Sequence, residues 1–155
     1  MNNLQLKALR QGLGLTVAEA AELPSIAVTK RSFQYWEVGK VPVPSDVADT
    51  FFLMSSHYTL VLDKMIDDVE KAITHPNDDE IKPTVKPTLP FFHTFEQFQM
   101  ATECSQIIYW RIYQSVISQL LLLGKITKLD DNTKIPEDFG IWKWLKGAYK
   151  HEQLH

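Results

Sequence analysis

Proline sets the outline of this chain. The stretch "HPNDDEIKPTVKPTLP", residues 75–90, carries Pro76, Pro83, Pro87 and Pro90 and an acid cluster. Proline has no N–H to donate and its ring clashes with the preceding turn, so no regular helix crosses this stretch. It divides the 155-residue chain into a head with a long helix (1–74), a linker (75–90) and a C-terminal portion (91–155). The end of the linker, "TLPFF", is compatible with an edge strand. A chain of this length suits one domain or two small ones, and it buries a sizeable interior.

The head reads as a series of short helices. Leu4, Leu6, Leu9 and Leu13 recur at helical spacing, and Gly12 and Gly14 close that segment. In "TVAEAAE", Thr16 and Glu19 are spaced as a capping box, which satisfies backbone N–H groups at a helix start. Ala18, Ala20 and Ala21 let a neighbouring helix approach closely, and Pro24 and Ser25 end the segment. Thr29 is the N-cap of a third helix over 30–38, with Gly39 placed for a left-handed cap and Pro42 beyond it. Three short helices joined by tight turns follow the helix-turn-helix plan. A fourth and longest helix opens at Pro44 and Ser45 and runs to about Thr74. Val47, Phe51, Met54, Tyr58, Val61 and Met65 repeat in steps of four and three, and Leu62, Ile66, Val69 and Ile73 widen the stripe. A stripe that wide faces a core, a partner helix or both.

Past the linker, Thr94 and Gln97 again have capping-box spacing. A helix over 105–123, apolar nearly all round, belongs at the centre of a core, and Gly124 ends it. "KITKL" suits a short strand and "DDNT" a turn. A last helix over 137–151 carries Phe139, Trp142, Leu145 and Tyr149 on one stripe, with Trp144 off it. The expected fold class is all-α with minor β elements: a lambda-repressor-like helix-turn-helix head and a helical dimerisation part.

Charge is distributed unevenly. Residues 1–44 hold five bases against three acids, residues 45–90 four against nine, and the remainder is balanced, for a net charge of −3. A weakly basic head on an acidic body still binds phosphates locally, because screening confines the field to about 10 Å at ordinary salt. Cys104 is the single cysteine, so no intrachain disulfide forms, which fits a reducing compartment. The N-terminus lacks the apolar core of a signal peptide, and no apolar run is long enough to span a membrane. The expected location is the cytoplasm.

The segment "VTKRSFQYWEVGKVPVP", residues 28–44, carries the chemistry. At about 100° per residue, Lys30, Arg31, Gln34, Tyr35 and Val38 fall within one arc of roughly 140°. Phe33 and Trp36 fall opposite, flanked by Ser32 and Glu37. One face anchors the helix with aromatics, which places Phe33 and Trp36 inward and not stacked on bases. The other presents two cations, an amide and a phenol. Arginine matches the two acceptors of guanine, and glutamine matches the donor–acceptor pair of adenine. A short helix entering the major groove N-terminus first delivers such groups, and its positive end favours phosphates.

Residues 4–54 resemble the XRE-type (Cro and phage-repressor) helix-turn-helix regulators. The matching pieces are "LKALRQGLGLT", "AEAAE", "VTKRSFQYWEVGK" and the following "VP". The likeness is closer still to a small subset of these regulators that includes anti-CRISPR-associated autorepressors. These carry a similar "RS-aromatic-QYWE-x-G" stretch and a downstream "WR-x-x-QSV", here Trp110 to Val116. The resemblance implies a homodimeric, DNA-binding transcriptional repressor that reads an inverted repeat. It implies base contacts from Lys30, Arg31, Gln34 and Tyr35, and phosphate contacts from Thr29 and Lys40. There are departures: the turn "LPSIA" is longer than the usual one, Val17 stands where many relatives have a glutamine that touches DNA, and the tail beyond about Leu129 exceeds the expected length.

The remaining polar residues have quieter readings. Glu37 suits a structural partner for Arg10 or a backbone N–H. Arg111 and Gln114, within an apolar helix, form either a satisfied hydrogen-bonded pair or a polar pair that sets dimer register; we take the register role as the working expectation. His151 and His155 alone among the histidines are four apart, so no metal site is expected. Cys104 lacks an activating neighbour and is read as inert. No phosphate-binding glycine loop and no nucleophile motif is present, so neither a catalytic function nor a cofactor is expected. The rival function is a protein-interaction module, an antitoxin-like partner whose helix-turn-helix does not read DNA. The low overall basicity and the aromatic tail favour it, and its marker is a monomer with an exposed apolar patch on the last helix. RNA on the same basic face, and a small-molecule pocket in the C-terminal part, stay open.

Overall fold

The computed structural model describes residues 1–73, 85–131 and 134–152, with only the backbone of 148–152. The end of the long helix at Thr74, the linker prolines Pro76 and Pro83, His75, the middle of "DDNT", His155 and the side chains of Tyr149 and His151 therefore lie outside the described residues. Among the described residues the order is α1 (Asn3–Gly12), α2 (Val17–Glu22), α3 (Lys30–Glu37), α4 (Ser45–Ala72), β1 (Leu89–Pro90), α5 (Phe95–Thr102), α6 (Ile107–Leu122), β2 (Leu129–Asp130) and α7 (Gly140–Glu152). The described residues are mostly helical, with one small two-stranded sheet among them. The chain divides into two compact units, Met1–Leu60 and Val61–His155, and α4 contributes to both.

In the first unit, side-chain caps start three of the helices. Thr16 and Glu19 form the expected capping box on α2, each side chain bonded to the other's backbone N–H at 3.1 Å. Asn2 and Gln5 form a second box on α1. Thr29 caps α3 by accepting from the Ser32 N–H at 3.1 Å. The exit of α3 needs a left-handed residue, and Gly39 supplies it at φ +77°. A Cβ there would lie 3.3 Å from the Asn3 amide nitrogen, so both the angle and the space call for glycine. Phe33 is fully buried, 5.6 Å edge-on from Trp36 and 6.1 Å from Phe51. Ala20 and Ala21 are sealed where α2 meets α3, as their small size suggested. The long α2–α3 connection turns through Ala27 at φ +48° and is tied back by Val28 N–H to the Ala21 carbonyl at 2.9 Å. Leu4 departs from the expected stripe: it faces solvent, and the inward side of α1 is carried by Leu6.

In the second unit α6 is the central element, with Ile112, Val116, Ile117 and Leu120 sealed from solvent. Its last turn is an exception to the all-round burial expected, since Leu121, Leu122 and Leu123 are exposed. α6 begins at Ile107 and not at Ser105. Glu103 turns left-handed at φ +61° after α5, and the Cys104 N–H is taken by the Thr102 hydroxyl, so helical geometry resumes only after both. β1 pairs in parallel with β2 in the register Leu89↔Leu129 and Pro90↔Asp130. Pro90 sits in this two-stranded sheet, where its missing N–H costs no central ladder bond. α6 holds the adjoining backbone through side chains: Tyr113 donates to the Pro90 carbonyl at 2.7 Å, and Trp110 Nε1 to the Phe92 carbonyl at 3.1 Å. The last helix starts at Gly140, three residues later than expected. Pro136 to Phe139 forms a turn, and the Asp68 carboxylate from α4 supplies the cap. Ile141, overlooked in the sequence stripe, is fully buried beside Leu145.

Candidate nucleic-acid interface

The two faces expected of the third helix are present in α3. Phe33, Trp36 and Glu37 are buried, while Lys30, Arg31, Gln34 and Val38 are exposed and Tyr35 is half-buried. Thr29 and Lys40 flank the exposed face at the two ends of the helix, and both are exposed. The six sequence-predicted residues all lie in the first unit, on α3 or next to its ends. Thr29 is already engaged as the N-cap and also shares a 2.9 Å hydrogen bond with the Ser32 hydroxyl.

Tyr35 organises this surface. Arg31 Nε donates to its hydroxyl at 2.7 Å, and the Lys40 ammonium lies 4.3 Å above its ring. Such a cation over an aromatic face is held by the ring quadrupole. Two cations of the face are therefore prearranged around one side chain.

Glu37, at the end of α3, is held in an ion pair. Glu37 receives Arg10 Nε at 2.7 Å, and Arg10 Nη1 also reaches the Leu15 carbonyl at 2.9 Å. This is the partnership expected for Glu37. Lys7 from α1 and Val17 from α2 join Gln34, Tyr35 and Val38 around an open depression of about 460 Å³. The sequence reading missed Lys7. Nothing local marks it, because its place beside α3 follows from how α1 packs. The resulting surface offers cations for phosphates and a guanidinium and an amide for base edges.

Arg111 and Gln114 stand in the second unit and are half-buried. Arg111 Nη1 donates to Gln114 Oε1 at 3.0 Å, Gln114 Nε2 donates to the Phe92 carbonyl at 3.4 Å, and the Arg111 guanidinium lies 4.2 Å from the Trp110 ring centre. The pair is hydrogen-bonded within the chain. Cys104 is fully buried. On the described part of α7, Trp144 packs edge-on against Tyr109 at 5.4 Å, and Trp142 is half-buried with Lys146 over its ring at 4.5 Å. Among the described residues no group of three or more His, Cys, Asp or Glu is arranged to hold a metal ion. No described helix is long and apolar enough to cross a membrane.

Residues 1–126 match the Aca2/YdiL-like family. The chain is 34% identical over 116 residues to the Aca2 repressor of Pectobacterium phage ZF40, an alignment covering 75% of this chain and 89% of that protein. It is 28% identical over 120 residues to the uncharacterised protein YdiL of Escherichia coli strain K12, covering 77% of this chain and 92% of YdiL.

Proposed function

The chain belongs to the Aca2/YdiL-like family, and from that premise we propose that it is a DNA-binding transcriptional repressor whose reading element is α3. The observation that carries the reading is the exposed face of α3. Lys30, Arg31 and Gln34 project from a helix pinned from behind by buried Phe33 and Trp36. Homology to a protein named as a phage repressor points the same way. In this reading α1 to α3 act as an XRE-type helix-turn-helix. Arg31 and Gln34 read base edges, with Lys30 beside them, and Lys40 and the cap at Thr29 sit against the phosphate backbone. The function is binding and not catalysis, and it is exercised in the cytoplasm.

A repressor of this kind works as a homodimer on an inverted repeat, because two recognition helices one helical turn apart match a palindrome. The second unit is the candidate for self-association. Its exposed leucines at the end of α6 are an apolar surface that a second copy covers, and Arg111 with Gln114 adds a polar pair that fixes register. The interaction-module alternative draws less support. Its marker is a monomer with an exposed apolar patch on the last helix, and on the described part of that helix Ile141 and Leu145 are buried.

The test is selection of bound duplexes from a randomised DNA pool, with Arg31→Ala as control. An inverted repeat recovered by the wild type and lost by the variant is the expected result. No enrichment at low salt would sink the repressor reading and favour the interaction module.

A further inference from the structure

Tyr35 was expected to touch bases itself, yet its environment suits another task. It is half-buried, while Arg31, Gln34 and Lys40 are exposed. Its hydroxyl accepts from Arg31 Nε at 2.7 Å, and its ring lies beneath Lys40 Nζ at 4.3 Å. Its carbonyl oxygen accepts from the N–H groups of Lys40 at 2.9 Å and Val41 at 3.3 Å, which fixes the loop leaving α3. A side chain committed at its hydroxyl and its ring face, on a backbone tied to the next loop, has little freedom to search a groove. Arg31, one turn earlier on the same face, is exposed and carries the group best suited to guanine.

The hydrogen bond to Tyr35 restricts how Arg31 meets a base. A guanidinium carries five N–H donors in a rigid fork. It grips a pair of acceptors either end-on, through both Nη groups, or side-on, through Nε and one Nη. With Nε given to Tyr35, the end-on pair is the edge left to the groove. Holding the side chain in that pose beforehand also lowers the ordering cost of binding.

Resting on the reading of α3 as the DNA-reading helix, we propose that Tyr35 is a positioning residue. It holds Arg31 by Nε so that both Nη groups meet the O6 and N7 of one guanine, and it links that pose to Lys40 at the phosphate backbone. Tyr35→Phe isolates the role, because it keeps the ring under Lys40 and the carbonyl of the exit loop and removes only the hydroxyl.

The experiment measures relative affinity for every single-base change in the selected operator, for wild type, Arg31→Ala, Tyr35→Phe and the double variant. Arg31→Ala should flatten preference at one G·C pair by about tenfold or more. Tyr35→Phe should reduce preference at that same pair by roughly three- to tenfold, leave other positions and the salt dependence unchanged, and add nothing in the Arg31→Ala background. In a DNA-free measurement, the Arg31 Nε–H should exchange with water more slowly in the wild type than in Tyr35→Phe. Tyr35→Phe with wild-type discrimination, loss at a different pair, a persisting cost in the Arg31→Ala background or equal exchange rates would each overturn the positioning role. A wild type that selects no duplex removes the DNA reading itself and this inference with it. A wild type whose Arg31-dependent guanine survives Tyr35→Phe removes the inference alone.

Discussion

Arg10 and Glu37 form the one strongly buried ion pair among the described residues: Nε to Oε1 is 2.7 Å, with side chains 11% and 7% exposed. The pair joins α1 to the end of α3, the helix that carries the candidate interface. Taking one charge away leaves the other buried without its partner, which costs more than the pair itself contributes. Glu37→Ala should therefore lower unfolding free energy by about 3 kcal/mol. Arg10→Met/Glu37→Leu should recover much of that loss. Urea unfolding of the two variants checks both values; equal destabilisation would show that packing, and not charge, dominates here.

Asp68 has a comparable task in the second unit. Its two oxygens accept from the Gly140 N–H at 2.9 Å and the Ile141 N–H at 3.1 Å, so one carboxylate caps α7 from 72 residues away. It also places a negative charge at the positive end of that helix. Asp68→Ala should destabilise the chain by about 1–2 kcal/mol and speed amide exchange most at the start of α7. Uniform exchange changes across the chain would argue against a local cap.

Much of this structure was legible in the sequence, for identifiable reasons. The starts of α2 and α3 rest on Thr16, Glu19 and Thr29, whose cap bonds span three residues, and the end of α3 rests on Gly39. The two faces of α3 follow from the helical period alone. The start of α7 was read three residues early because its cap comes from Asp68, which no local pattern can announce. The parallel pairing of Leu89 with Leu129 is hidden for the same reason. At the interface, residue types were visible but roles were not. That Lys7 lies beside α3 depends on helix packing, and the contact of Arg31 with Tyr35 depends on side-chain geometry.

The polar side chains of the candidate interface should separate by what they contact. Lys40 stands at the helix exit, over the Tyr35 ring, where the proposed orientation puts phosphate. Lys40→Ala should weaken binding to all duplexes alike and reduce the slope of log affinity against log salt by about 0.9. Gln34→Ala should leave that slope unchanged and cost about 1–3 kcal/mol on the preferred operator only. Titrations at several salt concentrations, with operator and with unrelated DNA, separate the two patterns. A sequence-specific loss from Lys40→Ala would contradict its assignment to phosphate.

Acid should loosen the fold through His57 on α4. Burial holds its pKa below the ordinary value of 6.5, because desolvation penalises the imidazolium. The unfolded chain therefore takes up the proton first as pH falls. His57 leaves stability intact above about pH 6.5 and subtracts from it as pH drops below that value, until the folded form also protonates. The melting temperature of the wild type should decline between pH 7 and pH 5 more steeply than that of His57→Gln, which cannot ionise. The sign matters as much as the size. A histidine stabilised by an acidic neighbour would instead gain stability on acidification, so a wild type that becomes more stable relative to His57→Gln at pH 5 would show that a carboxylate, and not burial, governs this residue.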